Sequence, residues 1–230
     1  MTNVLTLDDA AKMLDLPPQT ILRWAREGKI PASEAEDGRY LFDQKKLLKW
    51  SWHHNIFLNR NYQQNGDSRS YKSVPLGSLL RRGGIHYGIP GDSREDILSN
   101  GLKLIPLPDT IQRSFVLDLL IQRERLASTG IGRGIAIPHP RHPVQDIPEP
   151  GVIAVGFPEH PIDYGAIDGQ PVFVLFFLFS ITMKSHLHFL ARLSHFFHDE
   201  QFYGLLKEQA EAKEILARVE QIESSFEQPR

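Results

Sequence analysis

Three observations predict an α/β layered domain with a smaller, separate unit in front of it. From about Pro75 onward, short apolar runs suited to strands alternate with segments of helical period, as in a sheet covered by helices. The first fifty residues carry a pattern of their own. From about His53 to Val74 the composition turns to Asn, Gln, Gly, Asp and Ser, with few aliphatics after Leu58, as in a linker. The division expected is a small unit over 1–52, a linker over 53–75 with an apolar anchor at Ile56-Phe57-Leu58, and a main domain over 76–224.

In the small unit, Leu5, Leu7, Ala10, Ala11 and Leu14 fit one face of a short helix capped by Thr6 or Asp8. Leu16-Pro17-Pro18 breaks it. A second helix follows from about Gln19 to Glu27, anchored by Ile21, Leu22 and Trp24 and stopped at Gly28. Lys29-Ile30-Pro31 starts an extended segment, Asp37-Gly38 is a turn, and residues 39–42 read as a strand. Asp43 then caps a last helix from Gln44 to about Trp52.

The main domain opens with a helical turn at 78–82 and helices at 93–100 and 109–125, the latter with Phe115, Leu117, Leu119 and Leu120 on its apolar side. A glycine-rich segment leads to His139. Residues 151–157 and 172–179 are strands, the second entered through an Ile167-Asp168-Gly169 turn and apolar enough to be buried on both faces. Helices are expected at 185–198, 200–208 and 211–224.

Composition removes several function classes. With 41% hydrophobic residues the chain can build a core, and with no cysteine it has no disulfides, thiol nucleophiles or cysteine metal sites. The N-terminus lacks the basic start and apolar stretch of a secretory signal, and the most apolar run, Val172 to Phe179, falls short of the roughly 20 residues a membrane span needs. A cytoplasmic protein without membrane insertion is expected. A net charge of -2 exerts no global pull toward nucleic acid.

The segment from Ser128 to His139, Ser-Thr-Gly-Ile-Gly-Arg-Gly-Ile-Ala-Ile-Pro-His, resembles the active-site segment of the fructose/mannitol/nitrogen-regulatory IIA proteins of the bacterial sugar phosphotransferase system. Three further segments carry the resemblance in the same order: Gln122-Arg123-Glu124, the run Ile162-Asp-Tyr-Gly-Ala-Ile-Asp-Gly-Gln-Pro-Val172, and His186-Leu-His-Phe-Leu-Ala-Arg-Leu193. It spans about Leu76 to Glu223. The resemblance implies a mixed sheet flanked by helices and a phosphocarrier in which His139 accepts a phosphoryl group from an upstream histidine-phosphorylated carrier protein. Arg123 would lie beside the acceptor, and His186 would donate a hydrogen bond to the phosphoryl group or hold His139. The residue types suit the chemistry. A neutral imidazole, with an ordinary pKa of about 6.5, is both nucleophile and leaving group. A guanidinium fork matches phosphate, and Gly130, Gly132 and Gly134 can bring backbone N–H groups close to its oxygens. No metal or other cofactor is needed; His139 and His142 together are a poor metal pair. Pro140 departs from the family pattern, in which a small residue follows the active histidine.

The small unit, over about Val4 to Trp52, resembles the excisionase/MerR-like winged helix-turn-helix family through Leu5-Thr-Leu-Asp-Asp-Ala-Ala-Lys-Met-Leu, Thr20-Ile-Leu-Arg-Trp-Ala-Arg-Glu-Gly-Lys-Ile-Pro31, Gly38-Arg-Tyr-Leu-Phe-Asp43 and Leu47-Leu-Lys-Trp50. That implies base or phosphate contacts from Gln19, Thr20, Arg23, Arg26 and Lys29, and a wing contact from Arg39. Residues 1–50 hold eight Lys/Arg against eight Asp/Glu, so one copy has little electrostatic grip on DNA and a homodimer would strengthen it. The expected function is a regulator whose phosphorylation is coupled to DNA binding. The alternatives are a sugar-transport component passing phosphate to a IIB partner and an interaction module that is never phosphorylated.

Overall fold

The computed structural model describes residues 4–53, 74–144 and 146–226. The chain divides into two compact units, Met1–Asp67 and Ser68–Arg230. The expected linker and its Ile56-Phe57-Leu58 anchor lie almost wholly outside the described residues.

In the first unit β1 (Val4–Leu5) leads into α1 (Leu7–Leu14) and α2 (Pro18–Arg26), then β2 (Ser33–Glu34), β3 (Tyr40–Asp43) and α3 (Gln44–His53). Thr6 caps α1 in a full capping box: its hydroxyl accepts from the Asp9 N–H at 3.3 Å and its own N–H donates to the Asp9 carboxylate at 3.2 Å. That cap has a consequence the helical period misses. Thr6 is extended, so Leu5 falls outside α1 and pairs in β1 opposite Phe42. Pro18 opens α2 at a position where its missing N–H costs nothing, and Gly28, at φ +65°, turns the chain away beyond its end. The strands form a small antiparallel sheet in the order β1-β3-β2, and the Lys46 N–H bonds to Asp43 at 2.9 Å where α3 begins. Ala10, Met13, Leu14, Ile21, Phe42 and Leu47 make its core.

The second unit runs α4 (Leu76–Gly83), β4 (Ile85–Ile89), α5 (Arg94–Leu104), α6 (Arg113–Leu126), β5 (Gly130–Gly132), β6 (Ile135–Ala136), β7 (Gly151–Pro158), β8 (Val174–Ser180), α7 (Met183–Phe196), α8 (Glu200–Lys207) and α9 (Ala212–Phe226). The mixed five-stranded sheet has the order β4-β7-β8-β6-β5. β4 lies parallel to β7 and β6 parallel to β8, while β7 and β8, and β5 and β6, are antiparallel. The apolar runs that read as strands are β7 and β8, every residue of both buried. The α/β fold class is therefore the one expected, with helices flanking a mixed sheet.

Two boundaries differ from expectation. The helix expected from Asp109 starts at Arg113: Pro108 opens a turn closed by the Ile111 N–H at 2.9 Å, which buries Ile111 before the helix begins. Its buried side is Val116, Leu119, Leu120 and Glu124, with Phe115 and Leu117 only half-buried. The first helix extends beyond the turn expected at 78–82 and packs on β7. A Cβ on Gly83 would stand 2.1 Å from the Ile153 carbonyl oxygen, so only glycine allows that approach.

Candidate functional site

His139 stands where β6 leaves the sheet. The Ile137 N–H donates to Thr129 O at 3.0 Å and the Leu178 N–H donates to Pro138 O at 2.9 Å, so β5 and β8 hold the segment from either side. Pro138 and Pro140, both buried, restrict the backbone around a half-buried His139. The imidazole Nδ1 lies 2.6 Å from the Ile137 carbonyl oxygen. A carbonyl can only accept, so Nδ1 carries the ring proton and Nε2 keeps its lone pair. Burial, with the Arg123 charge adding to it, lowers the His139 pKa below the ordinary histidine value; the Ile137 hydrogen bond and Glu124 oppose the shift. The result is a neutral ring at pH 7 with one nucleophilic nitrogen.

His186 comes from the first turn of α7, fixed by the Thr182–Ser185 capping box. Its ring centroid is 5.0 Å from that of His139, the planes inclined by 52°. It is buried, and burial, then the neighbouring His139 and Arg123, lower its pKa to about 4. Two neutral imidazoles therefore face each other. Arg123, half-buried in the last turn of α6, donates from one Nη to Ala127 O at 2.8 Å, and its charge acts on both rings. That bond uses one of five N–H donors on the guanidinium.

The neighbouring Glu124, a residue of the Gln122-Arg123-Glu124 motif, acts structurally at the site. Its carboxylate is buried and accepts from the Thr129 N–H at 2.8 Å, the Thr129 hydroxyl at 2.6 Å and the Tyr164 hydroxyl at 3.4 Å. It ties the end of α6 to the start of β5, so the helix bearing Arg123 and the hairpin leading to His139 share an anchor. Ser180, which no motif in the sequence marks, has its Oγ 3.3 Å from His186 Nδ1. A polar residue ending the apolar run 172–179 is the signal that would have found it.

The three glycines sit in the β5–β6 hairpin. Gly130 pairs with Ala136, and the turn at 132–135 lies at the opposite end of the hairpin from His139. Gly134 takes φ +74°, and a Cβ there would stand 2.3 Å from the Phe173 ring. Gly132 packs near Asp168, whose carboxylate accepts from the Arg133 N–H at 2.8 Å. Close packing and turn geometry thus account for these glycines. Among the described residues no group of three or more His, Cys, Asp or Glu side chains converges as a metal site would.

In the first unit Gln19, Arg23 and Arg26 are exposed at the i, i+4, i+7 spacing of one face of α2, opposite the buried Ile21 and Ala25; Thr20 is half-buried. Lys29 is exposed beyond that helix and pairs with Glu27 at 2.7 Å. Arg39, in the β2–β3 turn, is bound by Asp37 through Nε at 2.7 Å and Nη2 at 2.6 Å.

A family model described as the EIIA 2 component of the phosphoenolpyruvate-dependent sugar phosphotransferase system matches residues 78–222. The chain belongs to that family. A second model, a helix-turn-helix domain, matches residues 4–53, ahead of the EIIA 2 region. The nitrogen regulatory protein of Pseudomonas aeruginosa is 32% identical over 125 residues, 53% of this chain and 79% of the relative. That of Escherichia coli is 34% identical over 129 residues, 55% and 76% of the two chains. The fructose-specific EIIABC component of Bacillus subtilis is 29% identical over 124 residues, 53% of this chain and 19% of that one. Among solved structures, the nitrogen regulatory protein IIA-Ntr of Neisseria meningitidis superposes with a TM-score of 0.56 at 27% identity, covering 64% of this chain and 99% of its own. Among the described residues no helix is long and apolar enough to cross a membrane.

Low histidine pKa values make stability depend on pH. Below about pH 6.5 the unfolded chain binds a proton on residue 186 that the folded chain refuses until about pH 4. The contribution is complete above pH 6.5 and falls as the pH drops through that interval, by about 3 kcal/mol in all. His139 acts in the same direction. Urea unfolding between pH 7 and pH 4 should show the decline, and His186→Asn should flatten it; parallel curves for both proteins would contradict the assignment.

Proposed function

We propose that this EIIA 2 family member is a regulatory phosphocarrier that accepts a phosphoryl group on His139 Nε2 from an upstream histidine-phosphorylated carrier protein and couples that event to DNA binding by its helix-turn-helix unit. The observation that carries the reading is the site itself: a neutral His139 with its proton committed to the Ile137 carbonyl, a second neutral imidazole 5.0 Å away, and a guanidinium whose charge reaches both. In the transfer, the Nε2 lone pair forms a bond to phosphorus as the bond to the donor's ring nitrogen breaks, and that electron pair returns to the donor ring. Charge on the phosphoryl oxygens is met by Arg123 and His186.

The nitrogen-regulatory relatives and the fused helix-turn-helix unit favour regulation. The fructose-specific relative favours a second reading, relay to a IIB partner, for which a helix-turn-helix unit has no use. On DNA, Gln19, Thr20, Arg23 and Arg26 on α2 would contact bases and phosphates, with Lys29 and Arg39 at the periphery. Arg39, already held by Asp37, brings less net charge than Arg23 or Arg26. A phosphoryl group adds about -1.5 to -2 charges, and a unit with balanced charge is sensitive to such an addition within its screening distance. DNA selected from a random library should bind the phosphorylated and unphosphorylated proteins differently at low salt. Equal affinities would mean that the units are only tethered, and no selected site would remove DNA from the reading.

Arg123→Lys keeps the charge but loses the planar fork. The variant should fold normally and accept phosphate about tenfold or more slowly, a cost comparable to one charged hydrogen bond. Rapid-quench transfer kinetics measure this; a wild-type rate would reduce Arg123 to a helix-end residue.

A further inference from the structure

Ser180 ends β8 and is the one polar residue of that strand, 3% exposed. Its carbonyl accepts from the Val144 N–H at 3.2 Å, while two residues earlier the Leu178 N–H donates to Pro138 O at 2.9 Å. The end of β8 therefore holds the loop bearing His139 on both sides of that residue. The Ser180 hydroxyl meets His186 Nδ1 at 3.3 Å. One buried serine thus holds the loop that carries His139 through its main chain, at Val144, and meets His186 through its side chain.

A neutral imidazole has a single N–H, and its position decides what the ring can do. Phosphoryl oxygens only accept, so His186 serves them only if its proton is on Nε2. The opposite tautomer would present a lone pair to them. In the unphosphorylated protein burial holds His186 neutral near pH 7, so the ring meets an incoming phosphoryl group with a single N–H. A hydroxyl both donates and accepts, and a buried one seeks a partner.

We propose that Ser180 is a positioning residue whose hydroxyl donates to His186 Nδ1, keeping the only proton of that ring on Nε2, where it can donate to a phosphoryl group on His139. The catalytic meaning of this lock rests on the phosphocarrier reading; the tautomer itself does not. In full-length protein labelled with ¹⁵N-histidine, two-bond proton–nitrogen spectra read the tautomer directly, with His186→Gln assigning the signal. The wild type should show the Nε2–H form. Ser180→Ala should shift the ring to a mixture and slow phosphoryl acceptance about tenfold with an unchanged KM for the donor carrier, and Ser180→Thr should restore both. An Nδ1–H ring in the wild type, or an unaltered tautomer in Ser180→Ala, would overturn the proposal. Ser180→Thr meets the case in which the alanine variant folds poorly: an Nε2–H ring there supports the lock, and a mixture refutes it. A wild type that takes no phosphate yet shows the tautomer shift on Ser180→Ala would remove the phosphocarrier reading and leave the lock standing.

Discussion

His139→Ala should abolish phosphoryl acceptance while leaving the fold intact. The side chain is half-buried and makes one hydrogen bond, to the carbonyl two residues back, so its loss removes little packing. The segment around it stays pinned by main-chain bonds at Ile137 and Pro138 that do not involve the ring. The chemistry has no substitute: His186 has its Nδ1 against Ser180 and lies buried. His142→Ala should retain labelling. Acid-labile ³²P incorporation measures both variants. Undiminished labelling of His139→Ala would place the acceptor elsewhere, and loss of labelling in His142→Ala alone would mean that Pro140 marks a shifted acceptor.

Glu124→Ala should carry the largest stability loss of any substitution at the site. Three donors, the N–H and hydroxyl of Thr129 and the hydroxyl of Tyr164, converge on that carboxylate out of water. Each buried donor left without a partner costs about 1–3 kcal/mol, so a total of about 4 kcal/mol is expected, with a fall in Tm of roughly 8–16 °C for a unit of this size. Transfer should suffer as well, because Glu124 joins the helix of Arg123 to the strand preceding His139. Thermal unfolding followed by circular dichroism checks the first effect. A loss below about 1 kcal/mol would show that water or a shifted side chain satisfies those donors.

Much of this was legible in the chain. The runs 151–157 and 172–179 were apolar enough to identify the two central strands, and the polar cap at Thr6, the glycines at 28 and 38 and the capping Asp43 marked local geometry that needs no tertiary information. The order of the four motifs brought Arg123, His139 and His186 forward, and the structure places the two rings in contact with Arg123 close enough to perturb both. What was hidden depends on distant partners. Leu5 reads as part of the apolar set at the start of α1 yet pairs with Phe42, a partner the local pattern does not contain. β4, Ile-His-Tyr-Gly-Ile, is an edge strand with two exposed residues, two half-buried and one buried, and so lacks both the alternation and the apolar run that announce a strand. The packing of the hairpin glycines is likewise set by distant residues, Ala166 at Gly130, Asp168 at Gly132 and Phe173 at Gly134. Glu124 and Ser180 are ordinary polar residues until folding buries them beside Thr129 and His186.

Phosphoryl acceptance at His139 Nε2, as proposed, leaves a phosphorus–nitrogen bond that can be read directly. Full-length protein incubated with phosphoenolpyruvate and the general phosphotransferase carriers, then examined by ³¹P–¹⁵N correlated NMR with His139→Ala as the assignment control, reads the bonded nitrogen. One phosphorus–nitrogen bond is expected, at His139 Nε2, with Nδ1 still protonated toward Ile137. A bond at Nδ1, a bond on another histidine, or no phosphohistidine at all would contradict it.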